Sequence, residues 1–427
     1  MKETKGDITV AIILSIVLSY ITYMFAQQEL QGPLRDMNGH TYVYLTLFEN
    51  DWREGWGAVP YCMWHMAVLF LKHIVYIPVD IAACIVCVFW NVLSYFITYW
   101  MLLRYTEKTG KVVDSGKAAV VSFGLMIIQP LYFSWLDVSE RYIGSFSMNP
   151  LHNPTQMCMR PFALLCICLV YDIWSAIEDK QYEGTFFSTE KGLGKLYFYL
   201  AVVLLLSCFA KPTFAEMFIP AVAFIMLARW LKLIKSKSQQ TKEYFGECLR
   251  MLVCAVPSLL YILLSVCAYF IWGGSYGADD GLVITSFLEV WSMFTENVGL
   301  AVLFGMAFPL FILLVNPDYF LKDNLGILAL VGYGIGFLEA AFLGEGGAKL
   351  SHGDFLWPMM AGMLIMFMAA TLHLLELEIV VNAIGEIGLE RNLRKTKIQS
   401  CLINIGWGIF FAQVLFGMIY IKSVIAV

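Results

Sequence analysis

The chain has 427 residues, of which 59% are hydrophobic and 14% charged, whereas a soluble domain carries about 25% charged residues. With a mean hydropathy of +0.71 a soluble fold is excluded. The net charge of −5 gives no reason to expect a nucleic-acid partner.

Apolar runs of about twenty residues recur along the whole length, each long enough to cross a hydrocarbon core of about 30 Å as a helix. No water reaches that core, so each run must satisfy its own backbone, and helices are the expected spans. The fold class is therefore all-α: a polytopic integral membrane protein of about eleven transmembrane helices in one membrane domain, 1–427. The spans fall near 8–26, 79–103, 118–136, 157–175, 195–210, 214–231, 251–271, 297–315, 324–342, 357–379 and 399–421.

The first run has a Lys-bearing flank and no clear small-x-small cleavage site, so a retained signal anchor is expected. Between it and the second run lies a first outer loop, 27–78, whose stretch Tyr61 to Ile77 is amphiphilic and closed by Pro78. That stretch is expected to lie in the interface, because making it span would switch the side of every later loop.

Charge then sets the sides. With the N-terminus cytoplasmic, twenty of the 28 Lys and Arg fall inside: Lys2, Lys5, Arg104, Lys108, Lys111, Lys117, Lys180, Lys191, Lys195, Arg229, Lys232, Lys235, Lys237, Lys242, Arg250, Lys322, Arg391, Arg394, Lys395 and Lys397. Arg35, Arg53, Lys72, Arg141, Arg160, Lys211, Lys349 and Lys422 remain for the outer face. The expected location is the plasma (inner) membrane with the C-terminus outside. The eleven cysteines lie mostly in apolar runs, where Cys acts as a small hydrophobe, and no disulfide framework is expected. Cys84 and Cys87 form a CxxC, but it sits inside an apolar run with no His near it. No Walker loop and no matched pair of broken helices is visible, which disfavours ATP-driven transport and the common secondary-transporter plan.

Four outer segments combine ionisable, amide and aromatic residues. In the first, Asp36 and His40 are four apart and share a face if helical; Trp52, Trp56, Tyr61, Trp64 and His65 follow around Pro60. The second is Asn149-Pro150-Leu151-His152-Asn153-Pro154, a turn-rich loop, with Arg160 just inside the next span. The third, Lys211-Pro212, breaks an apolar stretch and sets a cation at headgroup depth, with Glu216 close behind. The fourth runs from Gly344 to Trp357 and holds Glu345, Lys349, His352 and Asp354 among glycines. Each segment also has a bland reading as a solvated loop, an interfacial aromatic belt or a snorkelling cation. Their one-sidedness favours function.

At these residues the chain resembles the GT-C class of polytopic glycosyltransferases, which have an acidic residue soon after the first span and interfacial helices before the second. Asp36…His40 followed by Pro60…His65 is similar to that acidic motif and its Pro/His-bearing helix. The resemblance implies transfer of a sugar from a polyprenyl-phosphate carrier to a lipid, glycan or protein acceptor on the extracytoplasmic face. It also implies an outer-loop carboxylate as general base, by position Asp36. A single Asp stands where a pair is common, so Asp51 and Glu54 are the alternatives; no metal ligands are assigned, and a divalent metal is left open.

The chemistry fits on its own terms. A carboxylate activates an acceptor hydroxyl while cations hold the leaving phosphate, here Arg160 and Lys211 with Lys349 in support. Trp64 or Trp357 is placed to stack on a sugar face, and His40, His65, His152 and Asn153 to hydrogen-bond its hydroxyls, with Glu345, His352 and Asp354 as further contacts. Two rival readings stand beside it: a secondary transporter or lipid or glycan flippase using Asp172, Glu339 or Glu376, and a non-catalytic assembly partner.

Overall fold

A computed structural model describes residues 5–32, 35–108, 113–133, 135, 141–149, 151–178, 184–187, 192–272, 281–386 and 393–426. Lys2, Lys111, Pro150, Lys180, Lys191 and Arg391, used above, lie outside the described residues.

The protein is an all-α polytopic membrane protein, with nine helices among the described residues long and apolar enough to cross a membrane. The first is α1 (Lys5–Gln31). The outer loop then folds into α2 (Asp36–Asn38), a π-helical turn over Gly39–Tyr44, α3 (Leu45–Asn50), α4 (Trp52–Ala58) and α5 (Met63–His73). As expected, α5 is a short amphiphilic helix and not a span. Next come α6 (Val79–Glu107), α7 (Ser115–Ile127), the turn α8 (Arg141–Gly144), α9 (Pro154–Glu178), α10 (Leu193–Ala210), α11 (Thr213–Lys235) and α12 (Thr241–Trp272). A short strand β1 (Leu282–Ile284) precedes α13 (Glu289–Ser292), α14 (Val298–Gly305), α15 (Ala307–Val315), α16 (Pro317–Lys322) and α17 (Asn324–Phe342). Strand β2 (Leu343–Glu345), two 3-10 turns, α18 (Trp357–Glu386) and α19 (Leu393–Ile425) complete the fold.

Two of the expected spans are interrupted. Helix α7 stops at Ile127 because Pro130 lies ahead, and the residues before a proline are pushed out of helical geometry. Helices α14 and α15 meet at 73°, with Pro309 lacking the N–H that would have bonded back to Gly305. Backbone groups freed inside a membrane need partners, and two side-chain amides supply them. Asn149 Nδ2 donates to the carbonyls of Leu125 (2.7 Å) and Ile128 (3.0 Å). Gln413 Nε2 donates to the carbonyls of Phe304 and Gly305, both at 3.1 Å, and its Oε1 accepts from Phe308 N at 3.1 Å. Hydropathy averages over such breaks, so they were hidden in the sequence.

Side-chain contacts assign each helix end to one of two ends of the bundle. At one end, Phe25 late in α1 packs on His152 before α9, and His152 reaches Tyr420 late in α19. Lys211, between α10 and α11, meets Trp357 at the start of α18 at the same end. At the other end, Lys108 after α6 bonds Tyr171 of α9, Lys117 of α7 meets Glu378 of α18, and Arg229 of α11 meets Glu178 of α9. Among the described residues the nine helices and the bent pair give up to ten candidate spans, and Phe25 late in α1 meets Tyr420 late in α19, so the start of α1 and the end of α19 lie at opposite ends.

Helices α17 and α18 pack closest. A Cβ on Gly336 would sit 2.7 Å from Met359 Cα, and one on Gly362 would sit 2.8 Å from Tyr333 Cα, so glycine sets the interaxial approach. This pair carries between its ends the loop 343–356, whose strand β2 pairs antiparallel with β1 in the register Leu282↔Glu345. The sequence did not announce that ribbon.

Candidate functional site

The residues expected from the outer segments converge on one recess. Asp36 is brought inward at the start of the outer loop, where α2 runs directly into the π turn; that turn rotates His40 and Tyr44 to the inner side, a wide-turn device common at functional sites. Lys211 arrives from the opposite wall. It closes α10 in extended conformation because Pro212 follows, and it is only 3% exposed.

The Asp36 carboxylate accepts from Asn153 Nδ2 at 3.2 Å. Asn153 is itself fixed, since its Oδ1 accepts from Thr155 Oγ1 at 2.7 Å and from Gln156 N at 3.0 Å. It therefore aims Asp36 and has little capacity left for a sugar hydroxyl, which corrects its expected role. The Lys211 ammonium lies 4.3 Å from the Trp357 ring centre and 5.6 Å from that of Tyr61. Asp36, Lys211 and Asp354 interact electrostatically, but Lys211 closes to ion-pair distance with no carboxylate among the described residues. Burial raises the Asp36 carboxyl above its ordinary value, with Lys211 and Asn153 pulling against it. Burial lowers the Lys211 ammonium, opposed by Asp354 and Asp36. Asp36, Tyr61 and Glu216 keep part of their surface accessible, so they line the recess and are not sealed in the core.

His40 and His65 form a pair, Nδ1 to Nε2 at 3.1 Å, beneath the rings of Tyr44, Tyr61 and Trp64. Burial holds His65 down at about 3 and His40 well below its ordinary value, so both imidazoles are neutral. One ring nitrogen of the pair must donate to the other, and His65 Nδ1 is buried without a partner. His152 is engaged at both nitrogens, by Glu29 at 2.8 Å and by the Tyr420 hydroxyl, while Glu29 also holds Arg35. It is thereby a structural and electrostatic neighbour of Asp36 and not the free hydroxyl partner expected.

At the mouth, Gly353 takes φ +70°, a left-handed turn that presents His352 and Asp354 to one side. Donor atoms of Glu345, His352 and Asp354 lie within 4.8 Å of one another, close enough to share a cation or a polyol. Asp354 also accepts from Trp357 Nε1 at 3.3 Å. Lys349 donates to the Tyr269 hydroxyl at 2.5 Å.

Three expectations change. Asp51 is exposed and caps α4 through Arg53 N at 2.9 Å, and Glu54 is exposed on α4, so of these three acids only Asp36 stands beside Lys211. Arg160 does not join the recess: it sits seven residues beyond Asn153 on α9, roughly 10 Å along the helix, against Asn91 and Met126. Trp64 is fully buried in the outer-loop packing and offers no open face for stacking. Sequence reasoning missed Glu29, whose only signal was an acid in the last turn of an apolar helix, and it placed Tyr61 in an aromatic belt. A separate apolar cavity of about 300 Å³, lined by Leu204, Phe218, Val222, Met226, Trp230 and Cys248, lies between α10, α11 and α12.

Comparison with known proteins finds no matching family model, no similar curated protein and no similar solved structure. The function is therefore argued from the geometry.

Proposed function

We propose that this is a membrane glycosyltransferase of GT-C type, acting in envelope glycan biosynthesis by moving a sugar from a polyprenyl-phosphate carrier to an acceptor at the extracytoplasmic face. The observation that carries the reading is the buried, unjoined pair of Asp36 and Lys211 in a recess ringed by Tyr61 and Trp357. A carboxylate whose proton affinity is raised makes a competent general base near neutral pH. Asp36 takes the acceptor hydroxyl proton as that oxygen attacks the anomeric carbon; the bond from carbon to phosphate oxygen breaks, and Lys211 holds the charge left on the carrier phosphate. Trp357, 3% exposed, backs the Lys211 ammonium at the edge of the site, and Glu345, His352 and Asp354 offer acceptors for the sugar hydroxyls. The orientation that suits this chemistry has the recess outside, the N-terminus in the cytoplasm and the C-terminus outside, in the plasma (inner) membrane; the basic residues at the other end support it.

The deciding experiment is turnover of a panel of radiolabelled polyprenyl-phosphate sugars by purified protein in nanodiscs, wild type against Asp36→Asn. Transfer that disappears in the variant supports the reading. Asp36→Asn with wild-type transfer removes Asp36 as base, and folded protein that turns over no carrier removes the enzyme.

A secondary transporter is the second reading, favoured by the broken spans at Ile127 and Met306, since discontinuous helices build many ion-coupled sites. Of its three coupling candidates, Asp172 is already committed to the backbone N–H groups of Thr185, Phe186 and Phe187, at 2.8, 2.9 and 2.6 Å. Glu376 sits with His373 at the other end. Glu339, in electrostatic contact with Glu216, is the one that reaches toward the recess. Gradient-driven uptake lost in Glu339→Gln, without sugar transfer, would establish this alternative.

A further inference from the structure

Arg160 stands apart from the chemistry just described and is 2% exposed on the α9 face turned toward α6 and α7. Its contacts are weak. Nη1 lies 3.4 Å from Asn91 Oδ1 and 3.6 Å from Met126 Sδ, and Nη2 is buried with no hydrogen-bond partner. Asn91 cannot turn to serve it better, because its Nδ2 is held by Thr22 Oγ1 at 2.8 Å. No carboxylate among the described residues reaches ion-pair distance. Snorkelling, the ordinary resolution for an Arg near a helix end, is not what the side chain does.

A guanidinium remains protonated in proteins, so a buried one cannot discard its charge as a lysine can. Left without a counter-charge at membrane depth it is costly, and a stable bundle needs a compensating partner for it. Ser122, also fully buried with an unsatisfied hydroxyl, lies one turn from Met126 on the same face of α7 and adds a second idle donor to this wall.

We propose that Arg160 is the seat of a small monovalent, weakly hydrated inorganic anion of the chloride or bromide kind, bound between α6, α7 and α9 and separate from the recess of Asp36. The charge decides the class. One guanidinium neutralises one negative charge, and among the described residues no second cation is beside it for a phosphate dianion. The guanidinium is weakly hydrated, and the walls are a thioether and apolar helix surface, so an anion that sheds water easily is favoured over sulfate or phosphate. The site rests on no step of the transfer reaction.

The test uses the full-length protein in nanodiscs at constant ionic strength, with gluconate exchanged stepwise for bromide, and reads melting temperature. Wild type is expected to show a saturable rise with bromide, Arg160→Met to lose it, and Arg160→Lys to keep part of it. Crystals grown in bromide are expected to show anomalous density beside the guanidinium. A wild-type melting temperature indifferent to bromide, an equal rise in Arg160→Met, or protection by inorganic phosphate but not by halide would each overturn the proposal. If Arg160→Met does not fold, wild-type bromide dependence and the anomalous density decide alone. Sugar-transfer activity enters neither readout, so loss of the enzyme reading leaves this result intact.

Discussion

The two ends of the bundle treat charge in opposite ways. At the Lys108 end cations and acids are joined: Lys117 meets Glu378 at 2.5 Å, with Trp407 Nε1 donating to the same carboxylate at 2.8 Å, and Arg229 meets Glu178 at 2.5 Å while its other arm bonds Asn324 at 2.7 Å. At the Asp36 end the buried Glu29 also holds Arg35 and His152, but Asp36 and the Lys211 ammonium stay unjoined, and two imidazoles are kept neutral side by side. Paired charges reward folding. Charges held apart are costly to the fold and useful to something that enters between them, so under the proposed function the difference separates a structural end from a working one.

The sharpest way to break that comparison is Asp36→Asn. Turnover is expected to fall about 10²–10⁴-fold, the usual worth of a positioned general base. Melting temperature is expected to hold or rise. Because burial raises the folded carboxyl above its unfolded value, the folded state binds the proton more tightly, and the contribution of Asp36 to stability declines as pH rises from 3.8 toward that raised value. Removing the charge removes the decline. An Asp36→Asn protein that melts lower at neutral pH would place Asp36 with the structural charges.

Lys211→Met should come next, with transfer down about 100-fold through loss of the cation at the leaving phosphate. Lys211→Arg should recover part of it, because charge is retained while the fit against Trp357 and Tyr61 changes. Equal loss in both variants would point to packing in place of charge. At the other end the sign reverses: Glu178→Gln or Glu378→Gln should cost about 1–3 kcal/mol of stability by leaving a half-buried cation unmatched, with transfer per folded molecule unchanged. Chemical unfolding beside single-turnover transfer separates the two effects.

How much of this could be read from the sequence follows from the same physics. Polar residues stand out in an apolar chain, so Asp36, Lys211 and the loop of Glu345, His352 and Asp354 were legible singly, and Pro212 announced the break that delivers Lys211. Their meeting was not legible, because it depends on α17 and α18 closing at Gly336 and Gly362 and on the ribbon that holds loop 343–356 over the bundle. Arg160 and His152 show the converse. Residue type and predicted depth put both on a substrate, yet α9 carries Arg160 below the recess, and Glu29 with Tyr420 occupies the nitrogens of His152. The broken spans were hidden, because Pro130, Pro309 and Gln413 stand in runs that stay apolar on average, and only their placement in the fold shows that one amide serves both breaks.

The smallest effect expected is also the most specific to the working end. His65 is held at about 3 in the folded protein against an ordinary 6.5, because its ring is buried away from water, with the Tyr61 backbone pulling the other way. Its folded value is depressed, so the unfolded chain binds the extra proton first, and the stability His65 contributes is full above about 6.5 and lost as pH falls toward 3. Protein titrated downward should loosen the outer loop around α3 to α5 before the α6–α9 core, seen as earlier hydrogen exchange there, with that lead shortened in His65→Gln. The Lys117–Glu378 and Arg229–Glu178 pairs contain no imidazole, so the loop around His65 is expected to loosen ahead of them. If both ends loosen together between pH 6.5 and 5, the acid response belongs to the bundle as a whole, and the neutral imidazole pair is not what distinguishes one end from the other.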